Sequence, residues 1–250
     1  MNFKPIFGFI AGAFLALNLN ASTIKKGELI VATEGTYSPY SFYDEKGELV
    51  GYDVDIAKAV AKKLNLKIDF LTAPWDAMLA AFDAGKADVV FNQVSINEDR
   101  KKKYDMSVPY TMPYPVIVVH KDNNDIKSFA DLKGKKSVHS ATSNWAAIAE
   151  KNGATVVVAD GFSKGVELII SKRADDTIND NVTFFDYIKQ RPNAPLKIAY
   201  TSNEPMPTAA LLKKGNTELL EAINKAIDEL KAEGKISEIS MKYFGKDISK

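Results

Sequence analysis

The chain has 250 residues, with 33 lysine and arginine side chains against 32 aspartate and glutamate side chains. This near-neutral balance gives no support to binding of nucleic acid or of an anionic membrane surface. Cysteine is absent, which excludes disulfide bonds and an anchor attached to cysteine. The fold must therefore be stabilised by burial alone, for which a chain of this length is sufficient.

The first 21 residues have the pattern of a secretory signal peptide. Lys4 is the only charged residue before Lys25, and an apolar run over residues 5–19 leads to small residues at 20–22. The run is shorter than the roughly 20 residues that a membrane-spanning helix needs, so an uncleaved anchor is the less favoured alternative. We expect a free periplasmic protein after cleavage.

Strand and helix patterns alternate along the rest of the chain, which predicts an α/β fold. In the segment 52–64, for example, Ile56, Val60 and Leu64 repeat every four residues, with lysines on the opposite face, as in an amphipathic helix. The predicted strands are 28–33, 67–71, 87–92, 116–120, 136–140, 155–159, 176–178, 196–200 and 209–213. The predicted helices are 52–64, 75–84, 97–103, 128–132, 143–152, 162–172, 181–189, 217–233 and 236–244.

Two proline-containing segments, 109–115 and 204–207, predict connections between two lobes, because proline stiffens extended chain. We therefore expect a discontinuous lobe of residues 22–112 and 208–250, and a continuous lobe of residues 113–207.

Sequence motifs for common chemistry are absent: there is no nucleophile elbow, phosphate-binding loop or dinucleotide glycine pattern. The only histidines, His120 and His139, have no second histidine or cysteine at metal spacing, and we interpret both as surface or strand-edge residues. The sequence predicts no metal and no cofactor.

The segment 92–100 follows a buried strand, where ligands of open α/β sheets bind. Free backbone N–H groups, the Ser95 hydroxyl and the Arg100 guanidinium could converge there on one carboxylate. The alternative is that Arg100 belongs to a solvated basic helix face, 100–103, and spacing alone does not decide.

Two further loops have both a structural and a ligand-binding interpretation. Ser143 fits a helix N-cap, and a helix N-terminus also favours an anion. Asp180 likewise fits a cap, or a carboxylate that pairs with a ligand ammonium, and Asp175 and Asp176 remain alternatives. Tyr37 and Trp75 suit the core or the walls of an apolar slot.

Four segments, 34–65, 74–111, 133–136 and 241–250, resemble the family 3 solute-binding proteins, the polar amino-acid receptors of ABC importers. The resemblance covers essentially the whole chain after residue 21. The stretches around Trp75, 92–95 and 100–105 are most similar to the cystine-binding branch.

This resemblance implies a two-lobed periplasmic-binding-protein fold, in which each lobe is a mixed, mostly parallel sheet flanked by helices and two hinge strands join them. It implies that Arg100 binds the substrate α-carboxylate and Asp180 the α-ammonium. The remaining implied contacts are Ser95 and Gln93 next to the arginine, Ser143 and Asn144 from the other lobe, and Glu34, Tyr37 and Trp75 in the side-chain pocket.

The function implied is capture of a small amino acid, such as cystine, cysteine or another polar amino acid, by hinge closure of a monomer that delivers it to a membrane importer. A dehydratase-like enzyme acting on cyclohexadienyl or arogenate compounds is the alternative. One departure concerns the loop of lobe two: most relatives have a glycine followed by two hydroxyl residues, where this chain has Thr142, Ser143 and Asn144.

Overall fold

The computed structural model describes residues 22–250, so the predicted signal peptide lies outside the described residues. Within that range, no helix combines the length and apolar character needed to cross a bilayer. The strands are β1 (Glu28–Thr33), β2 (Thr36–Tyr37), β3 (Ser41–Tyr43), β4 (Leu49–Val50), β5 (Lys67–Thr72), β6 (Val89–Ser95), β7 (Tyr104–Met106), β8 (Pro115–His120), β9 (Lys136–His139), β10 (Thr155–Val158), β11 (Asp176–Asp180), β12 (Leu196–Thr201) and β13 (Thr208–Lys213).

Two five-stranded sheets organise the molecule. The first has the order β5-β1-β6-β13-β7 and the second β10-β9-β11-β8-β12; we call the parts built on them lobe one and lobe two. Each sheet is mixed, with two parallel and two antiparallel pairings. Strands β2, β3 and β4 form a small separate sheet, which sequence analysis missed because these strands have only two or three residues each.

The helices agree with the predicted pattern, with shifts of one or two residues at most ends. They are α1 (Tyr52–Lys63), α2 (Trp75–Asp83), α3 (Glu98–Lys103), α4 (Asn144–Lys151), α5 (Phe162–Ile170), α6 (Asn181–Gln190), α7 (Thr217–Ala232) and α8 (Lys235–Phe244), and a 3₁₀ turn spans Phe129–Leu132. Helix α7 shows why they form: Asn216 caps it by accepting from the Leu219 N–H, and its buried face carries Ile223 and Ile227. These side chains pack in one core with Ile56 of α1.

The chain passes between the two sheets twice, and the two passages are bonded to each other. Thr111 and Thr208 pair as an isolated antiparallel bridge, and the Thr208 N–H donates to the Thr111 carbonyl at 3.0 Å. These passages lie in the two proline-containing segments. The parallel strands β1 and β6 of lobe one, and β9 and β11 of lobe two, end near the gap between the sheets, which is where an open α/β fold presents loops to a ligand.

Candidate ligand-binding cleft

A cleft between the lobes holds about 570 Å³ of empty space, counting the part that opens to solvent. Residues at the ends of strands and at the starts of helices, from both lobes, form its walls. Six of the nine residues selected from the sequence line it: Glu34, Tyr37, Trp75, Gln93, Ser143 and Asn144. The other three, Ser95, Arg100 and Asp180, are not among the lining residues, although Arg100 contacts Trp75 and Asp180 contacts Tyr37.

Arg100 lies beside the cleft and is turned away from the basic helix face. Its Nη1 donates to the Ser95 carbonyl at 2.9 Å, and its guanidinium stacks 5.4 Å from the centre of the Trp75 ring. Burial lowers the pKa of Arg100 to about 10, so the group is still charged at neutral pH. Among residues 22–250, no aspartate or glutamate forms an ion pair with it.

The three lysines that follow Arg100 behave differently. Each is paired with an acid, since Lys101 contacts Glu98, Lys102 contacts Asp99 and Lys103 contacts Asp83. The solvated-face interpretation therefore describes the lysines, whereas the arginine is an uncompensated cation next to the cleft. Such a group favours a carboxylate, which a guanidinium binds in two-pronged geometry.

Glu34 is held at the end of β1 by Asn92, a residue that sequence analysis did not select. The Asn92 Nδ2 donates to Glu34 Oε2 at 2.7 Å, and its Oδ1 accepts from the Glu34 N–H at 2.9 Å. Burial raises the pKa of Glu34 to about 7, the bond from Asn92 opposes this shift, and the charges of Asp160 and Asp76 add to it. This end of the cleft is therefore acidic and titrates near neutral pH.

Gln93 lines the cleft with backbone in the left-handed region, at φ +48°, an uncommon conformation for a residue other than glycine. Its side-chain amide is occupied in the interior, where Nε2 donates to Asp53 at 2.7 Å and Oε1 accepts from Thr208 at 3.0 Å. The part of Gln93 available to a ligand is its backbone. Its side-chain amide instead bonds to Thr208, the first residue of β13, which follows the second passage between the lobes.

Asp180 is a helix cap with a full set of donors. Its Oδ1 accepts from the Thr183 N–H at 2.8 Å and from the Tyr40 hydroxyl at 2.9 Å. Its Oδ2 lies 2.8 Å from the Thr183 hydroxyl and 2.9 Å from the Tyr37 hydroxyl. Because both tyrosines belong to lobe one, the carboxylate joins the lobes; that it holds a ligand ammonium stays a prediction.

The loop before α4 shows the capping that its sequence indicated. Ser143 Oγ accepts from the Trp145 N–H at 3.1 Å, and the neighbouring Asn144 amide lies 3.6 Å from Met206 Sδ. The unusual Thr142 points across to lobe one, where its hydroxyl donates to Asp76 Oδ1 at 2.6 Å. The Thr142 and Ala141 N–H groups donate to the same carboxylate at 2.9 and 3.0 Å.

The interpretation of His139 as a surface or strand-edge residue is wrong. His139 is only 6 % exposed and forms part of the cleft wall. Burial lowers its pKa to about 3, so the ring is neutral. A lone histidine at a strand end gives no sequence signal of burial, because burial depends on how the neighbouring strands and helices pack, even though its hydrogen-bond partner Ser137 lies only two residues away on β9.

The geometry defines a class of protein: two α/β lobes, doubly connected, enclose a cleft lined with charged and aromatic groups for one small ligand. The family model for bacterial extracellular solute-binding proteins, family 3, matches residues 29–246, and the chain belongs to this family. It is 44% identical over 234 residues to the L-cystine-binding protein TcyA of Bacillus subtilis, covering 93% of this chain and 87% of that protein. It is also 44% identical over 225 residues to a probable amino-acid ABC transporter-binding protein of Haemophilus influenzae, covering 90% of this chain and 88% of that protein.

Two solved structures have almost equal sequence identity to this chain but differ in their structural similarity to it. An ancestral arginine-binding protein bound to arginine is 42% identical, with a TM-score of 0.81 over 88% of this chain and 99% of that one. The L-cystine solute receptor of Neisseria gonorrhoeae, in the unliganded open conformation, is 43% identical, with a TM-score of 0.59 over 90% of this chain and 96% of that one. The present arrangement is therefore more similar to the ligand-bound structure than to the open one.

Proposed function

We propose that this protein is an exported, monomeric receptor that captures a small polar amino acid between its lobes and delivers it to a membrane ABC importer. The observation that carries the proposal is the Arg100 guanidinium, which is partly buried beside the cleft and forms no ion pair with any acid among residues 22–250. An α-carboxylate in the adjacent cleft would supply the missing anion. Cystine and cysteine are the first candidates, because relatives that are 44% and 36% identical are named for L-cystine.

Capture would proceed by closure of the lobes around the ligand. A ligand that contacts both lobes binds the closed state more tightly and shifts the equilibrium toward it. We place the hinge at the two bonded passages, with lobe one comprising residues 22–112 and 208–250, and lobe two residues 113–207. Export through a signal peptide over residues 1–21 would bring the receptor to the periplasm.

A dehydratase activity is the second candidate, and Glu34 is the observation that favours it. Its pKa of about 7 suits a general acid or base, and an ancestral amino-acid-binding protein described as a precursor of cyclohexadienyl dehydratase is 31% identical with a TM-score of 0.76. We favour binding without turnover, since Glu34 is held by Asn92 in the cleft wall. Formation of product from prephenate or arogenate would reverse this preference.

A thermal-shift screen tests the proposal directly. The protein without residues 1–21 is heated with each amino acid and with cystine, and a ligand that binds only the folded state raises the melting temperature. We expect a polar amino acid to give the largest shift, followed by saturable 1:1 binding in calorimetry. No shift with any amino acid, in a protein that is folded and free of co-purified ligand, would refute the proposal.

The contact between Asp76 and Thr142 predicts a conformational effect. Replacing Asp76 with Ala removes three hydrogen bonds between the lobes, so we expect about three- to tenfold weaker ligand binding, the equivalent of about 1 kcal/mol for exposed bonds. The radius of gyration of the ligand-free protein in small-angle X-ray scattering should increase, because open forms become more populated.

Three matched variants complete this test. Thr142→Val removes only the hydroxyl bond and should give a smaller loss, whereas Thr142→Ser keeps that bond. Glu98→Ala removes an exposed carboxylate of lobe one that pairs with Lys101 on its own helix and should change neither measurement. An Asp76→Ala protein with unaltered affinity and scattering would show that the contact does not contribute to closure.

A further inference from the structure

Three polar side chains form a continuous row from the interior of lobe two to the cleft. Asp176 lies opposite Ser137 on the parallel pair β11 and β9, and the Ser137 Oγ is 2.5 Å from Asp176 Oδ1. Ser137 and His139 share one face of β9, because residues two apart in a strand point to the same side. The Ser137 Oγ is 2.8 Å from His139 Nε2, and His139 reaches the cleft wall.

The direction of the hydrogen bonds in this row follows from the burial of Asp176. This carboxyl group is fully buried, and its Oδ2 has no hydrogen-bond partner among residues 22–250. An ionised form would leave an uncompensated charge in the interior, which is costly. When Asp176 is ionised, Ser137 donates to its Oδ1. When the carboxyl group carries a proton on Oδ1, Asp176 donates to Ser137 instead, and Ser137 donates to His139 Nε2.

The other ring nitrogen of His139 is then fixed as a donor. A neutral imidazole carries one hydrogen, so when Nε2 accepts from Ser137 the hydrogen is on Nδ1. Within the described chain Nδ1 makes no hydrogen bond, since Ser137 is the sole partner of the ring. The row thus leaves one N–H of a cleft-lining residue without a partner in the described chain.

We propose that His139 determines ligand specificity by donating its Nδ1–H to an acceptor at the far end of the ligand side chain, and that Ser137 and Asp176 position it. This inference rests on the proposed function and deepens it. The ligands selected are amino acids whose side chain ends in an oxygen acceptor, such as a second carboxylate or an amide. Amino acids with a hydrocarbon or thioether end would leave this N–H unpaired, which is unfavourable for a buried donor.

The same row makes selection dependent on pH. Burial raises the pKa of Asp176 to about 7, with Asp175 adding to the shift and Lys135 opposing it. Above this pH Asp176 loses its proton and Ser137 donates to the carboxylate instead. His139 must then donate from Nε2, which leaves Nδ1 as an acceptor. Binding of a ligand with a distal acceptor should therefore weaken as the pH rises through about 7.

Glu34 is the other group facing the cleft that titrates in this range, with Asp160 and Asp76 near it. Asp176→Asn separates the two contributions, because the asparagine amide donates to Ser137 at every pH. We expect this variant to bind with wild-type affinity at pH 6. Between pH 6 and 9 its affinity should fall less than that of wild type, because the contribution of Asp176 to the fall is removed. A profile identical to that of wild type would overturn the role of Asp176.

The experiment is calorimetric titration with L-cystine, L-glutamine and S-methyl-L-cysteine, of which the last has no distal oxygen acceptor. His139→Leu should weaken binding of L-cystine or L-glutamine about tenfold, as expected for loss of one buried hydrogen bond, with less than threefold change for S-methyl-L-cysteine. His139→Gln, whose amide can donate, should recover part of the loss and controls for folding together with the melting temperature.

The outcomes distinguish this inference from the proposed function. Wild-type protein that binds no amino acid contradicts both, and wild-type protein that binds other amino acids but neither L-cystine nor L-glutamine contradicts this inference alone. If wild-type protein binds the probes and the folded His139→Leu variant loses the same affinity for all of them, or none, the specificity role alone is contradicted.

Discussion

Arg100→Ala is expected to weaken binding of the ligand with the largest thermal shift by about 30-fold or more, which corresponds to about 2–5 kcal/mol. The guanidinium is partly buried beside Trp75 and Ser95 and has no acid partner among residues 22–250. A ligand carboxylate placed there would be desolvated and, in the variant, would have no counter-charge. Calorimetry of the purified variant measures the loss.

Two variants sharpen this prediction. Arg100→Lys keeps the charge but loses the two-pronged fork, so its affinity should lie between those of wild type and Arg100→Ala. Lys101→Ala removes a neighbouring charge that is exposed and paired with Glu98, and it should bind normally. If the folded Arg100→Ala protein binds with wild-type affinity, Arg100 does not bind the ligand carboxylate.

Sequence reasoning found the strand–helix order because periodic burial leaves a strong pattern. It also found the caps at Ser143 and Asp180, since capping depends on residues three or fewer positions apart. What it could not decide was the direction of single side chains. Arg100 and its following lysines share one short run, and the arginine differs from them in its contacts with Trp75 of another helix and with the Ser95 carbonyl.

The polar groups that sequence analysis did not select depend, directly or through a neighbour, on residues remote in sequence. Asn92 is recognisable only once β1 and β6 are adjacent, because its contacts are to Glu34 and Thr33. His139 gains its role from Asp176 across the sheet, through Ser137. Burial of a lone polar residue is thus a property of the strand order, which local periodicity does not encode.

Asp180→Ala is expected to lower both stability and affinity. The alanine removes the N-cap of α6 and leaves the buried Tyr40 hydroxyl without its acceptor, so we expect a loss of about 3 kcal/mol in the free energy of unfolding. For a chain of this size, that corresponds to a fall of roughly 6–12 °C in the melting temperature. An unchanged melting temperature would contradict the contacts described for this carboxylate.

The loss of affinity has two sources that can be separated. If Asp180 acts only by joining the lobes, Tyr37→Phe and Tyr40→Phe should also weaken binding. In that case the Asp180→Asn variant should lose the same affinity for an amino acid as for its analogue without the α-amino group. If Asp180 also pairs with the ammonium, Asp180→Asn should weaken binding of the amino acid far more than that of the analogue, because only the former carries the charge. The ratio of the two affinities in wild type and Asp180→Asn therefore distinguishes an electrostatic contact with the ligand from a bond that closes the cleft.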